Sequence, residues 1–260
     1  MGSGMTNKAY FRRDSTTLIP LPISRGYWSE DSIQGRAVVG LIGQEIERRH
    51  GGEGLIPARL TVDMHRLARM RPVDITTSVI RDGGRLRLVE AVLSSDGIEY
   101  ARAQCQFLRA TEPPPGRVWA GGEPWDAPAP DMLSTVTDPH SKLHAEWRLI
   151  KGHVGAFGPR QLWIRDHFTV VEGEALSPFG RVALVADFAS PWLHACEKGI
   201  FYINTDVTVQ LHRLPVSEWL GFDATIHDAS QGIAVGQCRL YDETGSIGLI
   251  AVTALTNQRG

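Results

Sequence analysis

The sequence predicts an α+β fold built twice, each unit being one long helix wrapped by a curved antiparallel sheet. Three observations carry this. Both halves of the chain show the same order of patterns, an extended segment, one helix and then four strand-like stretches. The tripeptide His65-Arg66-Leu67 recurs as His212-Arg213-Leu214, an offset of 147, and the same offset sets Leu93 against Leu240. One inserted residue, Thr244, then brings Gly97 opposite Gly245, as an internal duplication would. Finally, residues 179–196 are apolar on nearly all sides (Phe179, Val182, Leu184, Val185, Phe188, Trp192), so that helix needs cover all round.

In the first half, residues 16–23 read as extended. Asp31 is placed to cap a helix over 31–49, whose Ile33, Ala37, Val38, Leu41, Ile42 and Ile46 follow spacings of three and four. The helix ends on Arg48-Arg49-His50, cations suited to a helix C-terminus, and stops at Gly51-Gly52. Strands are expected at 58–68, 73–82, 85–95 and 98–109, parted by turns such as Asp82-Gly83-Gly84 and Asp96-Gly97. In the second half, 160–170 is extended, and Ser177-Pro178 is an N-cap and first-turn pair for a helix over 178–197. Strands follow at 201–213, 218–228, 231–242 and 246–256. Between the halves, Pro113, Pro114, Pro115, Gly121, Gly122, Pro124, Pro128 and Pro130 break any helix or central strand. The expected division is a remnant and tail over 1–15 (Met1-Gly-Ser-Gly before Met5 looks like a cloning remnant), one unit over 16–110, a linker over 111–159 and a second unit over 160–260. Trp119 and Trp125 are candidates for tacking the linker to the surface.

Composition narrows the function. The 260 residues are 42% hydrophobic and 22% charged with a formal charge of −2, an ordinary globular balance with no basic footprint for nucleic acid. No apolar run approaches the ~18 residues of a membrane span, and the N-terminus lacks the apolar core of a secretory signal. Cys105, Cys196 and Cys238 are odd in number and far apart, which argues against a disulfide framework or a thiolate metal cage and for a cytoplasmic setting. No nucleophile elbow, zinc-binding H-E-x-x-H or phosphate-binding glycine loop occurs, and no metal is expected.

Particular segments resemble a known family. Residues 26–46, GYWSEDSIQGRAVVGLIGQEI, look like the first helix region of the acyl-CoA thioesterase II family. Residues 203–248 resemble the second unit of the same thioesterase-like superfamily, through the D-x-T-V-x-L-H-R-x-P-V-x-E-W run and the L-Y-D-E-x-G turn. Residues 57–72 and 176–190 also fit, so the likeness spans about 20–110 and 160–257. It implies a double hotdog fold and hydrolysis of an acyl thioester. In that family an Asp, a Ser or Thr, and a Gln hold the attacking water, while backbone N–H groups at the start of the first helix polarise the carbonyl. The physics is sound, since a helix N-terminus stabilises a developing oxyanion and a carboxylate can take a proton from water.

Carried over by position, the resemblance puts the Asp at Asp206 and the hydroxyl at or beside His227, with Asp228 and Ser230 near. The Gln position falls on Val252 or Thr253, so the family Gln is missing, and its first-half counterpart is Gln104. At the helix start stand Gln34, a hydrogen-bond donor but no base, and Gly35, a packing glycine compatible with an oxyanion role. Tyr27 and Trp28 could wall an acyl tunnel. Asp187 stands out as a carboxylate in an apolar helix that needs a partner; a structural role is preferred for it over a catalytic one. The expected substrate is an acyl-CoA or similar hydrophobic thioester, with coenzyme A part of the substrate and no other cofactor. A homo-oligomer is expected because sheet edges remain. A hydratase, dehydratase or isomerase on the same thioester, or a non-catalytic acyl-binding protein, are the alternatives.

Overall fold

A computed structural model describes residues 8–119, 125–136 and 145–257. In chain order the strands are β1 (Ala9–Asp14), β2 (Thr17–Pro20), β3 (Leu55–Met64), β4 (Asp74–Asp82), β5 (Leu86–Ser95), β6 (Ile98–Arg109), β7 (Ala145–Lys151) and β8 (Gln161–Asp166). They continue with β9 (Thr169–Val171), β10 (Tyr202–Asn204), β11 (Asp206–Leu211), β12 (Leu220–Ser230), β13 (Ile233–Asp242) and β14 (Gly245–Thr256). The helices are α1 (Gly35–His50), α2 (Pro178–Ala186) and α3 (Ala189–His194).

The two units share one large sheet in the order β4-β5-β6-β3-β11-β14-β13-β12-β8-β7, with β10 also beside β14. Strands β3 and β11 join the halves, and their register is symmetric about Thr61 and Thr208, which lie opposite each other with hydroxyls 3.2 Å apart. Those residues differ by 147, the offset of the repeated tripeptide, so the pseudo-twofold axis of the duplication runs between them. The sheet wraps the two helices, whose apolar faces form the core (Leu41, Ile42, Phe179, Val182, Leu184). This is the double hotdog.

The helices pack antiparallel along a glycine seam. A Cβ on Gly40 would lie 2.9 Å from Leu184 Cδ1, and one on Gly43 2.6 Å from the Ala183 Cβ. Each glycine costs about 1 kcal/mol of helix propensity against alanine. The close approach, with the dispersion contact it brings, is what the cost serves.

Several boundaries differ from the sequence expectation. Helix α1 begins at Gly35 with Gln34 as its cap residue, not at Asp31. Asp31 instead pairs with Arg69 at 2.8 Å and its carbonyl accepts from Met70 N–H, which holds 26–34 as a loop along 68–70. The helix expected over 178–197 is broken at Asp187-Phe188. Pro191 has no N–H to give to the Asp187 carbonyl, which accepts from Ser190 N–H at 3.1 Å instead, and the turn there tightens. Residues 9–14 are no tail: β1 pairs in parallel with β9, burying Tyr10 and Phe11 completely. Strand β7, in the expected linker, extends the second unit's sheet beyond β8. Trp125 does tack the linker down, stacked on Tyr241 at 4.2 Å between ring centres, whereas Trp119 is 89% exposed.

Candidate active site

The start of α1 lies against the break between α2 and α3. A Cβ on Gly35 would sit 2.6 Å from Asp187 Oδ1, so glycine is what lets the helix terminus reach the carboxylate. The Gln34 side chain does not cap the helix; its Nε2 donates to the Ile23 carbonyl at 2.6 Å. The Gly35 N–H has no partner among the described residues, while the next N–H, of Arg36, hydrogen-bonds Asp187. An unpartnered backbone N–H at a helix N-terminus is a ready site for a partial negative charge.

Asp187 also accepts from Asn204 Nδ2 at 2.8 Å. An ionised carboxylate can only accept, so the amide must present its nitrogen, leaving Asn204 Oδ1 as a further acceptor. Burial raises the Asp187 pKa; the Asn204 amide, the Arg36 charge and the Arg36 N–H pull the other way without cancelling it. Arg36 is itself buried, its Nη2 paired with Asp166, which also accepts from Tyr10 Oη at 2.9 Å. This ion pair ties β1 and β8 to the helix terminus.

The arrangement opens on a cavity of about 490 Å³. Val38, Trp147, Phe188 and Ile203 give it apolar walls, and Gln34, Gly35, Asp187 and Asn204 lie together on its lining. Asp187 is the one acidic residue of that lining. Such a cavity, apolar with a few convergent polar groups, suits a ligand with a long apolar part and one reacting centre.

The expected site residues divide sharply. Gln34, Gly35, Tyr27 and Trp28 line the cavity, though Tyr27 is 48% exposed and stands at its mouth, edge-on to Trp28. Asp206, His227, Thr253 and Gln104 do not line it. Asp206 is used within the sheet: its Oδ1 accepts from Thr253 N–H at 3.1 Å, and it lies opposite Asp63. Burial raises its pKa, the Thr253 hydrogen bonds counter this, and the charge of Asp63 adds to it. His227 is an exposed residue of β12 whose ring lies 5.1 Å from that of His194. Gln104 is exposed on β6, opposite Thr61 and Glu90. The residues that converge on the helix start are Asp187, set aside in the sequence as structural, and Asn204, which carried no signal there. A lone carboxylate in an apolar helix was the signal for Asp187.

The second helix start is closed by contrast. Ser177 caps α2 by accepting from Gly180 N–H at 2.8 Å, and its hydroxyl donates to Glu47. Of the two helix termini the duplication produces, the one at Gly35 meets the cavity.

Residues 107–255, more than half the chain, match the family described as the acyl-CoA thioesterase C-terminal domain. The chain belongs to the acyl-CoA thioesterase family. Its enzymes are thioester hydrolases. Solved structures share the whole architecture. A hot dog fold protein of unknown function from Alicyclobacillus acidocaldarius superposes with a TM-score of 0.76 over 100% of both chains at 15% identity. The tesB protein of Mycobacterium avium subsp. paratuberculosis gives 0.68 at 16% identity, covering 95% of this chain and 96% of that one. The acyl-CoA thioesterase II of Mycobacterium marinum gives 0.67 at 14% identity, covering 96% and 94%. No curated protein matches the chain. Among the described residues no helix is long and apolar enough to cross a membrane, and no three side chains are grouped to hold a metal.

Proposed function

We propose that this thioesterase hydrolyses an acyl-CoA thioester with a water activated by Asp187. The observation that carries the reading is the carboxylate set against an uncapped helix terminus inside an apolar cavity. The acyl chain lies along Val38, Trp147 and Phe188, and the thioester carbonyl oxygen takes the free Gly35 N–H. Water bound between Asp187 and the Asn204 Oδ1 gives a proton to Asp187 as its oxygen attacks the carbonyl carbon. Burial makes the carboxylate a stronger base for that step. The tetrahedral oxyanion is held by the Gly35 N–H and the positive end of α1. Its collapse breaks the C–S bond, and the proton on Asp187 returns to the departing thiolate.

A single turnover in water enriched in heavy oxygen tests the route, with a panel of straight-chain acyl-CoAs and thiol release as the first readout. Direct attack puts the label in the first acid formed. Unlabelled acid in that turnover would mean that Asp187 itself had bonded to the acyl group, and addition of water to an unhydrolysed acyl-CoA would mean hydratase chemistry.

We also place the protein in the cytoplasm as a homo-oligomer. The free cysteines support the first, and the outer edge of β4, which no other strand of the large sheet pairs among the described residues, supports the second.

A further inference from the structure

Beside Asp187 stands a buried cation that does not pair with its carboxylate. Arg36 is 1% exposed, and its backbone N–H donates to Asp187. The guanidinium at the far end of the same residue goes instead to Asp166, at the end of β8. Its Nε and Nη1 have no hydrogen-bond partner among the described residues. A buried guanidinium with free N–H groups near a second carboxylate would ordinarily take that carboxylate too, because an unpartnered buried donor is costly.

Asp166 holds the guanidinium where it is. That residue is 4% exposed, and its carboxylate accepts from Arg36 Nη2, from Tyr10 Oη at 2.9 Å and from Phe168 N–H at 2.9 Å. Three donors fix the carboxylate's position and keep it ionised. The Tyr10 ring lies 5.8 Å from the guanidinium carbon, so Arg36 is held by a ring as well as by a charge. Tyr10 is brought there by β1, which pairs with β9.

What Asp187 can do depends on that division. An ionised carboxylate offers about four acceptor positions. The Asn204 amide and the Arg36 N–H occupy part of them and leave room for a water. A guanidinium fork would fill the rest, and a cation in contact lowers a carboxyl pKa by about 1–3, which makes a poorer base. The other charged or titratable groups on the cavity lining are Arg25, Tyr27, His65, Arg66 and Tyr202. Arg36, not one of these, is the charge that acts on Asp187.

We infer that Asp166, braced by Tyr10, is a positioning residue for Asp187: it takes Arg36 as its own partner and so keeps that cation off the Asp187 carboxylate. The inference rests on the proposed role of Asp187 as base. It makes β1 and β8, which do not line the cavity, part of what sets the strength of that base.

The test compares the wild type with Asp166→Asn and with Arg36→Met/Asp166→Asn. Two midpoints are read, that of the acid limb of kcat/KM for an acyl-CoA and that of the infrared carboxyl band which Asp187→Asn removes. Asp166→Asn frees Arg36 for Asp187, so both midpoints should fall by about 1–3 pH units. Turnover on the plateau should drop by less than about 10²-fold, because the base is weakened and not removed. The double variant deletes the cation as well, and both midpoints should return to within about one pH unit of the wild type; a merely structural defect would not be reversed in this way. A buried ion pair replaced as a pair costs little stability, so the double variant is expected to fold even if Asp166→Asn does not. A folded Asp166→Asn with unmoved midpoints would overturn the inference. So would a double variant whose midpoints rise by more than about one pH unit, since Arg36 would then act on Asp187 in the wild type despite Asp166. The infrared band separates this inference from the hydrolytic one: if turnover ignores Asp187→Asn while the band still follows Asp166, the division of charge stands and the base assignment falls.

Discussion

Asp187→Asn separates catalysis from stability because the two should move in opposite directions. The amide is nearly isosteric, and Asn204 can turn its own amide so that a hydrogen bond at 2.8 Å is kept. The folded protein holds Asp187 with a raised pKa, burial being the main cause. An acid whose pKa is raised on folding favours the native state at low pH and opposes it once the pH climbs past its unfolded value. At neutral pH the neutral amide removes that opposition, so the variant should melt at the same temperature as the wild type or higher. Its turnover should fall about 10²–10⁴-fold, the worth of a positioned general base, which at 1.36 kcal/mol per decade is about 3–5 kcal/mol of barrier. The assay is thiol release at saturating acyl-CoA, paired with a thermal melt of the same sample. Wild-type turnover in a well-folded variant would refute the base assignment. Loss of turnover together with a melting temperature several degrees lower would show instead that the carboxylate is a structural ligand of the α1 terminus.

The same pKa direction predicts that kcat/KM falls as pH drops through a midpoint above the usual carboxylate range, and that Asp187→Asn abolishes this limb; a midpoint at or below the usual range would count against Asp187. Gly35→Ala should cut kcat at least about ten-fold, because its methyl would sit 2.6 Å from Asp187 Oδ1 and must displace the carboxylate or the helix start. Gly84→Ala, where nothing lies within 4 Å of the added carbon, is its control and should shift stability by less than about 0.5 kcal/mol in a chemical melt. Asp206→Asn should keep turnover within about two-fold and change stability by under ~1 kcal/mol, since the residue accepts from Thr253 and Thr205 within the sheet and faces Asp63; an inactive, stable variant would return the base to Asp206.

Local pattern and internal repetition determined the fold, and they did so because they are properties of neighbouring residues. The run of apolar residues from Phe179 to Leu193 demands a buried helix whatever surrounds it. The turns at Asp82-Gly83-Gly84 and Asp96-Gly97 end strands by backbone preference alone. The offset of 147 between the HRL tripeptides is also the separation of Thr61 and Thr208, the pair on which the structure shows the two halves to meet. The start of α1 was not legible in the same way: Asp31 has the chemistry of a cap, and only its pairing with Arg69 in the folded chain moves the start to Gly35.

Tertiary structure decided which side chains share the cavity. Asp187 and Gly35 are far apart in the chain, and they meet because α1 and α2 run antiparallel and Pro191 tightens the turn beside Asp187. Asn204 joins them because β10 ends next to that break, a placement no spacing within its own strand predicts. Asp206, two residues on, is the one that matches the family motif, but the join of β3 to β11 holds it within the sheet, opposite Asp63. A strand alternates its side chains between two faces, and only the assembled layers decide which face meets the cavity and which meets another strand.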